Sequence, residues 1–68
     1  MERGWVKIFS VSERYKAELL VGLLEQNNIP AVAVDKKDSA YLFGEVEIWV
    51  PPEKVIAAKA ILNKNQTT

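Results

Sequence analysis

Gly44-Glu45-Val46-Glu47-Ile48-Trp49-Val50-Pro51-Pro52 is the stretch that decides the fold. Val46, Ile48 and Val50 alternate with Glu45, Glu47 and Trp49. That period of two predicts a strand with one buried and one exposed face. Gly44 opens it, and Pro51-Pro52 closes it because proline cannot donate to a ladder.

Toward the N-terminus, the polar connection 35–43 (Asp-Lys-Lys-Asp-Ser-Ala-Tyr-Leu-Phe) is too long for a tight hairpin. Before it, residues 31–34 read as a short strand, apolar on both faces and entered through Ile29-Pro30, which forces extended chain. Asn27-Asn28 is the expected stop of a helix, since asparagine tolerates the left-handed conformation that a C-terminal cap needs. That helix is expected from Glu13 to about Gln26. Ala17, Leu20, Val21 and Leu24 form its stripe, with Leu19 and Leu23 widening the buried face. Ser10 with Glu13 fits a capping box, and Ser12 is the other candidate cap. Gly22 in the helix interior is read as a mark of close packing on a strand. Residues 5–9 read as the first strand, with Val6 and Ile8 on one face and Trp5, Lys7 and Phe9 on the other.

Toward the C-terminus, Pro52 suits the first turn of a second helix, with Glu53 at its positive end. Val55, Ala58, Ile61 and Leu62 form its apolar stripe. The order is therefore β-α-β-β-α. The expected fold class is an α+β, ferredoxin-like sandwich: three antiparallel strands, the third in the middle, and two helices on one face. One domain spans residues 1–68, with an ordered core of about 4–62 and a tail at 63–68.

Nine basic and nine acidic residues balance, so the basic surplus of a nucleic-acid binder is missing and no nucleic-acid partner is expected. No apolar run approaches the roughly 20 residues of a membrane span, and Met1-Glu2-Arg3-Gly4-Trp5 lacks the order of a signal peptide. A cytoplasmic location and no membrane contact are the expectations. Without histidine or cysteine there is no ordinary zinc site and no Ser-His or Cys-His couple, so neither catalysis, a metal nor a cofactor is expected. The core of so short a chain is small and no disulfide can staple it, which makes self-association a natural gain in stability.

Two surfaces are candidates. With helices on one face only, simple antiparallel register puts Trp5 near Trp49, Lys7 opposite Glu47 and Phe9 near Glu45 on the bare face, with Ala31 and Ala33 flooring the next strip. Such an aromatic cluster suits self-association, burial against the chain's own ends, or a ligand or partner. The first strand is also expected to be an open edge that invites pairing. The second surface is the connection 35–43. Lys36 and Lys37 suit an anion or an acidic partner, with Ser39 and Tyr41 as hydroxyl handles; the alternative is a solvated loop.

Residues 5–9, Tyr15-Lys16-Ala17-Glu18, 24–32 and Tyr41-Leu42-Phe43-Gly44-Glu45-Val46-Glu47-Ile48 together resemble a short bacterial family described as putative prokaryotic signal-transducing proteins. The resemblance runs from Trp5 to about Leu62. It implies a fold similar to the nitrogen-regulatory PII proteins and, by fold-level analogy, a regulatory role. In that fold the connection between the second and third strands is the effector loop, here the position of Asp35 to Phe43 with Tyr41. This chain is shorter, lacks the closing strands and has no glycine-and-lysine set to cradle a nucleotide phosphate. Neither nucleotide binding nor tyrosine modification is carried over. The expected protein is a small, non-catalytic regulatory module, a homodimer or other homo-oligomer that contacts protein partners. The alternative is a sensor of a small anionic metabolite at the 35–43 connection.

Overall fold

The structure is a computed structural model and describes residues 4–35 and 45–65. Its elements are β1 (Val6–Val11), α1 (Arg14–Gln26), β2 (Val32–Asp35), β3 (Val46–Val50), a 3-10 turn (Pro52–Lys54) and α2 (Val55–Asn65). The sheet order is β1-β3-β2, and β3 is antiparallel to both neighbours. The alternation that predicts β3 also places it. Val46, Ile48 and Val50 are buried against Ala17 and Leu24 of α1 and Ala58 and Leu62 of α2. The architecture is α+β and ferredoxin-like, with both helices on one face of a three-stranded sheet.

The register of β1 departs from the simple alternation. Val6 pairs with Val50 and Lys7 with Trp49, but Phe9 pairs with Ile48, Ser10 with Glu47 and Val11 with Val46. Ile8 is the extra residue of a β-bulge, which shifts the phase of the strand by one position. An unbulged strand would put Phe9 and Val11 on the bare face and Ser10 inside. The bulge instead turns Phe9 and Val11 toward the core, where Ile8 already packs. Phe9 therefore leaves the aromatic group expected on the bare face. β1 also runs on to Val11, so Ser10 belongs to the strand rather than capping α1.

The cap of α1 is Glu13, with no side-chain cap bond. Its carbonyl accepts from the Lys16 and Ala17 amides at 3.1 and 3.3 Å. Its carboxylate lies 3.2 Å from Lys16 Nζ, and this hydrogen bond and charge raise the Lys16 ammonium above its ordinary value. The Asn27-Asn28 stop is as expected. Asn28 holds φ 64°, its amide donates to the Glu25 carbonyl at 3.0 Å and the Ile29 amide donates to the Leu24 carbonyl at 2.9 Å. These two bonds make a Schellman motif, with Ile29 and Leu24 supplying its buried apolar pair. Arg14 then ties the start of α1 to the end of β2 through Asp35 Oδ2 at 3.2 Å, while its Nε meets Glu18 at 3.3 Å.

The buried face of α1 is narrower than its sequence suggests. Leu19 is 67% exposed and Tyr15 59%, so Leu19 stands opposite the stripe it was expected to widen. Three strands floor only one side of the helix, and Ala17, Leu20, Val21 and Leu24 fill it. A Cβ at Gly22 would meet nothing within 4 Å, so this glycine marks no close packing. It is left with only its entropic cost in a helix, about 1 kcal/mol relative to alanine. Gly22→Ala is accordingly expected to raise unfolding stability by about 0.5–1 kcal/mol, read as a higher urea midpoint at unchanged slope. A lower midpoint would reveal packing on that face.

Candidate functional site

The face of the sheet away from the helices is built from residues out of phase with the core. Register sets them in two rows. Lys7, Trp49 and Val32 form one, and Ser10, Glu47 and Val34 the other. Val32 and Val34, rather than Ala31 and Ala33, flank the centre: Ala31 is buried in the core and Ala33 pairs with Ile48 on the helix side.

Glu47 is the unusual member. It sits on the central strand and is only 7% exposed, although no helix among the described residues covers this face. A carboxylate so withdrawn from water needs its oxygens engaged. Both are. Trp49 Nε1–H donates to Oε1 at 3.1 Å, and Lys7 Nζ lies 3.5 Å from Oε2. Glu47 and Trp49 are two residues apart on one strand, so their side chains emerge on the same side and the indole can fold back over the carboxylate. Lys7 stands directly across from Trp49 and reaches Glu47 diagonally. The expected Lys7–Glu47 contact exists through that diagonal, not through direct pairing.

The consequence is a fixed aromatic surface. The half-buried Trp49 ring is tethered at its N–H, which restricts its rotamers. Trp5 is half-buried just ahead of β1. With Lys7 opposite Trp49, Trp5 does not take the place facing Trp49 that simple register gave it. Lys36, Lys37, Ser39 and Tyr41 lie outside the described residues. Sequence reading missed Val32, Val34 and Ser10 as members of the face. The signal available was the adjacent pair Ile8-Phe9 followed by Ser10 and Val11, an apolar pattern that changes phase within one strand.

Among the described residues no three or more of His, Cys, Asp and Glu are placed to hold a metal ion. Among the same residues no helix is long and apolar enough to cross a membrane. The family described as putative prokaryotic signal transducing protein matches residues 5–66. No curated protein and no solved structure matches.

The two contacts of Glu47 should differ in weight. A hydrogen bond to a charged acceptor contributes about 1.5–3 kcal/mol, whereas an ion pair with an exposed partner contributes at most about 1 kcal/mol. The Lys7 side chain is 47% exposed. Glu47→Ala is expected to lower stability by about 1–2 kcal/mol and Lys7→Met by less than about 1 kcal/mol, measured by urea unfolding. Glu47→Gln keeps an acceptor for the indole and should retain the near-ultraviolet circular dichroism band of a fixed tryptophan, which Glu47→Ala loses. Equal losses from Glu47→Ala and Lys7→Met would assign the stabilisation to the ion pair instead.

Proposed function

Because the chain belongs to the family described as putative prokaryotic signal transducing protein, we propose that it is a small module that transmits signals by contact and not by catalysis. Its working surface is the helix-free sheet face, through which copies self-associate and partner proteins dock. The observation that carries this reading is the withdrawn Glu47 carboxylate, which anchors the Trp49 indole on that face.

The energetic argument is one of preorganisation. Interface hot spots are enriched in tryptophan held in place among groups that exclude water. Here the ring is already oriented and flanked by Val32 and Lys7, and its only polar atom is satisfied within the chain. A partner can cover the ring without leaving a donor unpaired. A chain without cysteine needs no oxidising compartment, and on this reading it works in the cytoplasm.

Sedimentation of the wild type and Trp49→Ala, with tryptophan emission followed over the same concentrations, tests the proposal. The wild type is expected to associate below about 1 mM with a blue-shifting emission, and Trp49→Ala to weaken association by about tenfold or more, as loss of a hot spot does. A wild type that stays monomeric, with emission independent of concentration, would remove self-association from the function.

A further inference from the structure

We propose that the groove between β1 and α2 is a strand-addition site for an extended segment of a partner protein, one carrying a large apolar side chain with a carboxylate close by. This inference rests on the reading of the chain as a protein-contact module but uses a different surface from the Trp49 face.

The sheet order leaves the outer edge of β1 unpaired among the described residues. Alternate backbone N–H and C=O groups of Val6–Val11 point outward there, ready for another strand. The opposite edge is a poorer template, since β2 has four residues and follows Pro30 closely. β1 has six residues and no proline.

The bulge gives this edge a side-chain pocket. It turns Phe9 toward the helices beside Ile8, where the two meet Leu62, Lys59 and Asn63 of α2 around a cavity of about 180 Å³. None of these lining residues comes from α1, β2 or β3, so the cavity lies on the outer flank, beside the free edge. Its volume slightly exceeds that of an apolar cavity of about 150 Å³ that accepts benzene, which suits a phenylalanine or leucine side chain. An added strand would present alternate side chains to this side. The same bulge interrupts regular pairing, so the edge selects a short segment over indiscriminate sheet extension.

Charge chooses between a partner and a second copy. Lys7, Arg14 and Lys16 each have a carboxylate partner, but Lys59 has none among the described residues. Asn63 stands one turn further along α2, where its amide can share an anion with Lys59. The β1 of a second copy, Val-Lys-Ile-Phe-Ser-Val, supplies no carboxylate to this groove. An acidic partner segment satisfies the ammonium; this chain's own edge does not.

The probe is a blocked peptide, acetyl-Thr-Val-Thr-Phe-Thr-Glu-Thr-amide, titrated into the nitrogen-15-labelled full chain and followed by amide shifts. Shifts are expected over Val6–Val11 and Lys59–Asn63, with slowed hydrogen exchange in β1 and an unmoved Trp49 indole resonance. Lys59→Glu, at an exposed position, should weaken binding by roughly fivefold, and the peptide with Lys in place of Glu should regain that loss on the variant. Three results would each overturn the proposal: no shifts in β1 at millimolar peptide, equal affinity of both peptides for both proteins, or shifts confined to the Trp49 face. Concentration-dependent shifts of β1 without peptide would assign the edge to a second copy and overturn it as well. The effect of Trp49→Ala on association reads the Trp49 face and the peptide-induced shifts read the β1 edge, so the two readings can fail separately.

Discussion

One extra residue, Ile8, sets the faces of this molecule. A strand alternates with period two, so a shift of one position exchanges every side chain between core and solvent. Before the bulge Lys7 stands opposite Trp49; after it Phe9 and Val11 stand opposite Ile48 and Val46. The core gains an aromatic ring and a valine, and the bare face gains Ser10 beside Glu47. Both surfaces descend from that step. The Trp49 face is free of Phe9, and the groove against α2 has a double apolar wall.

The bare face shows how a small sheet manages a side without helices. Its centre is a carboxylate held by an indole N–H and a lysine, between valines of β2 and a serine of β1. The oxygens are hydrogen-bonded within the chain, and among the described residues no buried side-chain nitrogen or oxygen lacks a partner. The arrangement therefore completes its hydrogen bonds within the chain and leaves the Trp49 ring half-buried.

The order of elements was legible because each strand and helix carries its own punctuation. Pro51-Pro52 ends β3, Asn27-Asn28 ends α1 with the left-handed residue where expected, and Ile29-Pro30 leads into β2. Val46, Ile48 and Val50 could be assigned to the core from alternation alone. Three features resisted. The bulge is invisible in residues 5–9 alone, because Val11, beyond them, reveals the change of phase. Ser10 does not cap α1 for the same reason, since it is still in the sheet, and Ser12 lies beyond β1 while Glu13 takes the cap position. Leu19 was counted inside because helical spacing gives the width of an apolar stripe, not the width of the floor beneath it. In the candidate site, Lys7, Glu47 and Trp49 come together through a diagonal contact that simple register does not describe, and Lys36, Lys37, Ser39 and Tyr41 fall outside the described residues.

Both surfaces depend on the phase shift in β1, and the side-chain contacts of Phe9 report it. A carbon-edited nuclear Overhauser spectrum of the labelled protein should connect the Phe9 ring to Leu62 methyls and to the side chain of Ile48, its cross-strand partner. Phe9 ring contacts to Glu45 or Glu47 on the bare face, without Leu62, would mean an unbulged strand, and would contradict both the Trp49 surface and the groove.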